Sequence, residues 1–145
     1  MKLANGEDLN TRVLALNTNA CYNLNFYLIA NATDPAGELN WLEKQLAQLE
    51  KENKFAIIIG HIPPGRTCIH SWAARFNSLV ERYQHVIRGM YYGHTHYQEF
   101  SVVRGINDFK PIMVNYIDGS ATTFTNLNPS FVVYDVDRAT MLPIE

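Results

Sequence analysis

The segment Phe55-Ala56-Ile57-Ile58-Ile59 constrains this chain most. Five consecutive apolar residues are too few for a stable helix, and they predict a strand buried on both faces. Such a strand needs one layer above it and another below, which points to an α/β architecture. No uninterrupted apolar stretch is longer than this run, so no segment is expected to span a bilayer.

The neighbouring pattern supports that reading. Residues 12–17 (RVLALN) read as a strand, the asparagine-rich stretch 17–25 as a loop, and 26–30 as a short second strand. Asp34-Pro35 predicts a helix start, because Asp can accept from the free amides of the first turn and Pro fits the first helical position. Leu39, Leu42, Leu46 and Leu49 follow at spacings of three and four, the apolar stripe of a helix reaching about residue 53. A second helix is expected over 71–84, with Trp72, Phe76, Leu79, Val80 and Tyr83 on one side. Residues 86–92 read as the next strand, and 98–103, 111–117 and 131–136 as further ones. The order is strand-helix-strand-helix-strand and then strands only, as in an α/β layer that continues into an antiparallel or mixed edge.

Composition excludes several function classes. The 145 residues suit one domain; 47% are hydrophobic and 18% charged, a globular balance. Net charge is −2 with no basic cluster, which argues against nucleic acid or an anionic membrane surface as the main partner. Met1-Lys2-Leu3-Ala4-Asn5 has one positive charge and no apolar run behind it, so no signal peptide is expected in this chain. Cys21 and Cys68 admit either one disulfide or two buried thiols. Asn31-Ala32-Thr33 is an N-x-[ST] sequon, a glycan acceptor if the chain is secreted.

The chemistry-bearing residues sit just past the ends of predicted strands, where open α/β sheets place ligand sites. Gly60-His61 closes one strand, and the following Ile62-Pro63-Pro64-Gly65 stops any ladder and holds the imidazole in place. Gly93-His94-Thr95-His96 closes another. Histidines two apart in an extended segment project to one side, and neutral imidazole is a good zinc ligand. A lone His61 reads more readily as a hydrogen-bonded core residue; the pairing of both motifs at successive strand ends favours metal. His70 and His85 read as structural or exposed, His85 near a helix C-terminus where positive charge is favourable.

Gly60-His61 followed by Gly93-His94-Thr95-His96 resembles the last two motifs of the calcineurin-like metallophosphoesterases. Asp34-Pro35-Ala36-Gly37 with Trp41-Leu42 is similar to the acid sphingomyelinases and sphingomyelinase-like phosphodiesterases among them. So are Gly60-His61-Ile62-Pro63-Pro64-Gly65, Ser71-Trp72, and Ser120-Ala121-Thr122-Thr123 with Asn128-Pro129. The likeness runs from about residue 12 to 137. It implies the C-terminal half of a four-layer αββα sandwich, with residues 1–145 forming a partial catalytic domain. It also implies two zinc ions in the intact enzyme, His61 and His94 on one and His96 on the other. A Cys21–Cys68 disulfide closing a loop of roughly 47 residues, worth on the order of 3–4 kcal/mol, a glycan at Asn31, and a secreted or lysosomal parent follow from the same resemblance. Thr122, Thr123 and Asn128 could line the substrate side, although turn or hydroxyl-capping roles suit them better.

The family's earlier motifs, Asp-x-His, Gly-Asp-x-x-Asp and Gly-Asn-His-Asp/Glu, do not occur in this sequence. They supply the bridging aspartate, the remaining ligands and the leaving-group acid. Three neutral imidazoles offset none of the charge of two dications, whose repulsion at about 4 Å is large in a poorly solvated site. The expectation is therefore at most one weakly bound zinc, no catalytic residue of its own, and dependence on the missing N-terminal half as a partner. The intact enzyme would hydrolyse a phosphodiester or phospholipid, sphingomyelin or a nucleotide-type relative. The competing reading is a non-catalytic, degenerate member acting as a binding or interaction module.

Overall fold

A computed structural model describes Gly6 and residues 8–144. Residues 1–5, on which the signal-peptide reading rests, lie outside the described residues, as do Glu7 and Glu145.

Five strands form one mixed sheet: β1 (Thr11–Ala15), β2 (Phe55–Ile59), β3 (Ile87–Tyr92), β4 (Glu99–Arg104) and β5 (Pro111–Ile117). Their spatial order is β1-β2-β3-β5-β4. The first four of these in space run parallel, and β4 returns antiparallel to β5 at the edge. Two helices, α1 (Glu38–Lys51) and α2 (His70–Arg82), connect the first three strands and lie together on one face. The expected α/β layer running into an antiparallel edge is what forms.

The leucine stripe decides how α1 sits: Leu39, Leu42, Leu46 and Leu49 are all buried. Each fully buried leucine is worth about 1.5–3 kcal/mol relative to exposure, far more than helix propensity alone contributes. Asp34 caps this helix as expected, its carboxylate accepting from the Leu39 and Asn40 amides at 2.9 and 3.2 Å. Pro35 does not begin α1 itself. It opens a separate 3-10 turn, Pro35–Gly37, and Ala36 and Gly37 take left-handed φ of 60° and 68° before the helix starts. On α2, Trp72, Phe76 and Val80 are buried against the same sheet face, which presents Leu14, Ala56, Ile58 and Met90.

Two expected strands do not form. Phe26–Ile29 is a 3-10 turn, with the Asn25 side chain accepting from the Tyr27 amide and only Leu28 buried. Residues 131–136 contribute only an isolated bridge between Val136 and Pro143. Neither segment has a ladder partner among the described residues.

The prediction that β2 is buried on both faces holds for one face only. Ala56 and Ile58 are fully buried, whereas Phe55 and Ile57 are half-buried and Ile59 is 40% exposed. The register places Val13 beside Ile57, Ala15 and Tyr91 beside Ile59, and Tyr116 beside Tyr91 and Phe100. These residues make one apolar surface opposite the helices, partly open to solvent. Tyr134 covers one end of it, packing on Tyr91 and Tyr116 at ring separations of 4.9 and 5.5 Å. Its hydroxyl donates to Asp118 at 2.6 Å, and burial first, then that bond, raise the phenol's pKa well above its ordinary value.

Candidate metal centre at the strand ends

Gly60 ends β2 because nothing larger fits. A Cβ there would lie 2.8 Å from the Thr18 methyl and 3.2 Å from the Tyr92 ring. The glycine serves the close approach of neighbouring side chains to the backbone. Thr18, fully buried, secures the next segment by accepting from the Ile62 amide at 2.6 Å. His61 thereby leaves the sheet at a fixed place, and its carbonyl accepts from the Gly93 amide at 3.0 Å. One hydrogen bond thus joins the two histidine motifs through the backbone.

The rings of His61 and His94 meet edge to face, with centroids 5.2 Å apart. On its other side His94 meets the ring of Tyr22, also at 5.2 Å. Burial first, then the neighbouring His61 and His96, hold the His94 imidazolium pKa below its ordinary value, so the ring is neutral and able to ligate near pH 7. His96 diverges: its ring meets the edge of Phe124 at 5.8 Å, and its buried Nδ1 has no hydrogen-bond partner.

The expected mechanism for bringing the pair together is wrong in one respect. Residues 93–97 are not extended; His94 and His96 both have left-handed φ, 78° and 68°. Left-handed backbone is uncommon outside glycine and concentrates at functional sites.

A Cys21–Cys68 disulfide is present and ties the loop after β1 to the loop after His61. Around it the two loops exchange backbone bonds, Asn23 to Thr67 at 2.9 Å and Ile69 to Cys21 at 2.8 Å. This staple places Tyr22 against His94. Of the remaining candidates, Asn31 is exposed, its side chain accepting from the Thr33 amide at 3.3 Å. Thr122 and Thr123 shape turns: the Thr122 hydroxyl accepts from the Phe124 amide at 3.3 Å, and the Thr123 carbonyl accepts from the Asn126 amide at 3.0 Å. Asn128 is exposed. Far from the site, His85 lies 2.7 Å from Glu50, which also pairs with Arg82. Sequence reasoning missed Tyr22 and Phe124. Their only signal was an aromatic beside a cysteine and another beside the threonine pair.

The donor chemistry fits a divalent cation only in part. Neutral imidazole is present, but among the described residues no group of three or more His, Cys, Asp or Glu side chains could hold a metal ion. The same residues contain no helix long and apolar enough to cross a membrane.

Helices on one sheet face and histidines at the ends of adjacent parallel strands define an α/β chain of the ligand-at-strand-ends kind. No family model matches it. It is 42% identical over 127 residues to the sphingomyelin phosphodiesterase of Bos taurus and 41% identical over 127 residues to that of Homo sapiens. Each alignment covers 87% of this chain and 20% of the relative. The acid sphingomyelinase-like phosphodiesterase 3b of Homo sapiens is 28% identical over 152 residues, covering 90% of this chain and 32% of that protein. The chain is homologous to the sphingomyelin phosphodiesterases, and it spans about a fifth of the length of those relatives.

Proposed function

We propose that this chain supplies the histidine side of a metal centre in a phosphodiesterase catalytic domain, whose carboxylate ligands come from sequence outside it. The intact enzyme hydrolyses sphingomyelin or a related phosphodiester. The observation that carries the reading is the contact of His61 and His94 at 5.2 Å at the ends of adjacent strands, with burial holding the His94 pKa below its ordinary value. The unpaired, buried Nδ1 of His96 supports a third donor position. A divalent cation held there supplies Lewis acidity toward a phosphoryl oxygen. The chain's own part is to orient two imidazoles through the Gly93–His61 backbone bond and to keep His94 neutral.

The same reading accounts for the open sheet face. In a four-layer αββα sandwich a second sheet covers Val13, Ile57, Ile59 and Tyr116; here they are partly exposed. With no carboxylate beside the histidines, the chain alone binds at most one zinc weakly and is inactive. A glycan at Asn31 and a secreted or lysosomal parent belong to this proposal.

The test is complementation. The chain is assayed for hydrolysis of bis(p-nitrophenyl) phosphate alone and after co-refolding with the preceding part of the catalytic domain of the Bos taurus relative. Activity only in the mixture, lost in His94→Ala, is the expected result. No activity in a mixture that forms a stable complex favours the interaction-module reading instead. Substantial turnover by the chain alone refutes the charge argument.

A further inference from the structure

The geometry points to a second binding place: the free edge of β4, with the cleft between it and α2, receives an extended acidic segment of a partner polypeptide. Among the described residues β4 pairs only with β5, so one row of its backbone donors and acceptors faces outward. Every consecutive residue from Glu99 to Ile106 lines a cleft of about 1430 Å³, whichever way its side chain points. A side-chain face would contribute alternate residues; an unbroken run means that the strand's edge itself faces the cleft.

Long open edges invite pairing, and natural proteins blunt them with proline, bulges or a covering element. A register shift lies only at the far end of this strand, between Val103 and Arg104, and its residues other than Val103 are exposed. Adding a strand is a recurrent mode of peptide recognition, with main-chain bonds supplying affinity and side-chain pockets specificity.

Two features select the occupant. Arg66, Arg75 and Arg104 line the cleft beside one carboxylate, Glu99, in a chain whose net charge is −2. The outward row of β4 backbone donors and acceptors can be matched by a polypeptide backbone and not by an acyl chain. Phe100 and Val102 offer apolar contact for alternate side chains.

The experiment uses the full chain and a fluorescein-labelled heptapeptide, Glu-Val-Asp-Phe-Glu-Val-Asp, read by anisotropy. Three controls accompany it: the Lys-substituted peptide, the acidic peptide with alternate backbone nitrogens methylated, and phosphatidylserine vesicles. Saturable binding of the acidic peptide alone is expected, weakened about tenfold by Arg66→Glu and lost with backbone methylation. Because the peptide controls leave the protein unchanged, a misfolded variant cannot imitate that result. Equal binding of all peptides, or none, overturns the proposal. So does vesicle binding that the acidic peptide does not displace, or a dimer in sedimentation that it does not dissociate, since a lipid surface or a second copy would then hold the edge.

Discussion

Removing the Cys21–Cys68 disulfide should cost a large share of this chain's stability. The bond joins residues 47 apart, so it spares the unfolded chain's closure of a long loop. The chain-entropy relation gives about 4 kcal/mol at 25 °C for a loop of that length. Typical domains are stable by only about 5–15 kcal/mol. The assay is urea unfolding followed by fluorescence of Trp72, which is fully buried, comparing the oxidised chain, the chain in dithiothreitol, and Cys21→Ala/Cys68→Ala. Reduced and doubly substituted chains should agree within about 1 kcal/mol and fall about 4 kcal/mol below the oxidised chain. Agreement between reduced and oxidised chains, with a loss only in the alanine variant, would refute the entropic account. The cost would then belong to the cavity left by two sulfurs. The effect should reach the site as well, because the stapled loops hold Tyr22 against His94. Reduction should therefore shift the His94 ring resonances before global unfolding.

Phe76→Ala should cost about 3–5 kcal/mol, since this fully buried ring stacks on Trp72 at 5.5 Å and leaves a cavity when removed; urea midpoints test it. Burial of Glu38 raises its carboxyl pKa above the unfolded value despite the bond from the Asn17 amide. A raised acid pKa means the folded state binds the proton more tightly, so the residue costs stability as pH rises through the carboxylate range and costs nothing below it. Glu38→Gln should accordingly be more stable than wild type at neutral pH and equal to it in acid, as measured by melting temperature across pH. The open sheet face should bind anilinonaphthalene sulfonate in the native chain. Ile59→Glu should reduce that fluorescence without changing the far-UV circular dichroism.

Helices α1 and α2 were legible because their apolar stripes carry the packing that forms them. The histidine motifs were legible because glycine followed by histidine marks a strand's end. The segment 26–30 was misread because Phe26, Tyr27 and Ile29 favour strands in composition, yet a strand needs a partner and only Leu28 finds a buried place. The same holds for Phe131 and Val133, both largely exposed, whose neighbour Tyr134 packs on the sheet face instead of joining its edge. Left-handed backbone at His94 and His96 leaves no trace in residue type. The one-sided burial of β2 could not be read from its apolar run either, because covering layers come from elsewhere in a fold.

Zinc stoichiometry tests the central claim most directly. Purified chain, dialysed against a slight excess of zinc and then passed through a desalting column, is measured by plasma mass spectrometry beside His61→Ala/His94→Ala. At most one zinc per chain, absent from the double variant, is the result that follows from two adjoining imidazoles without a carboxylate. Two zinc ions per chain, or a content unchanged by losing both histidines, would contradict it.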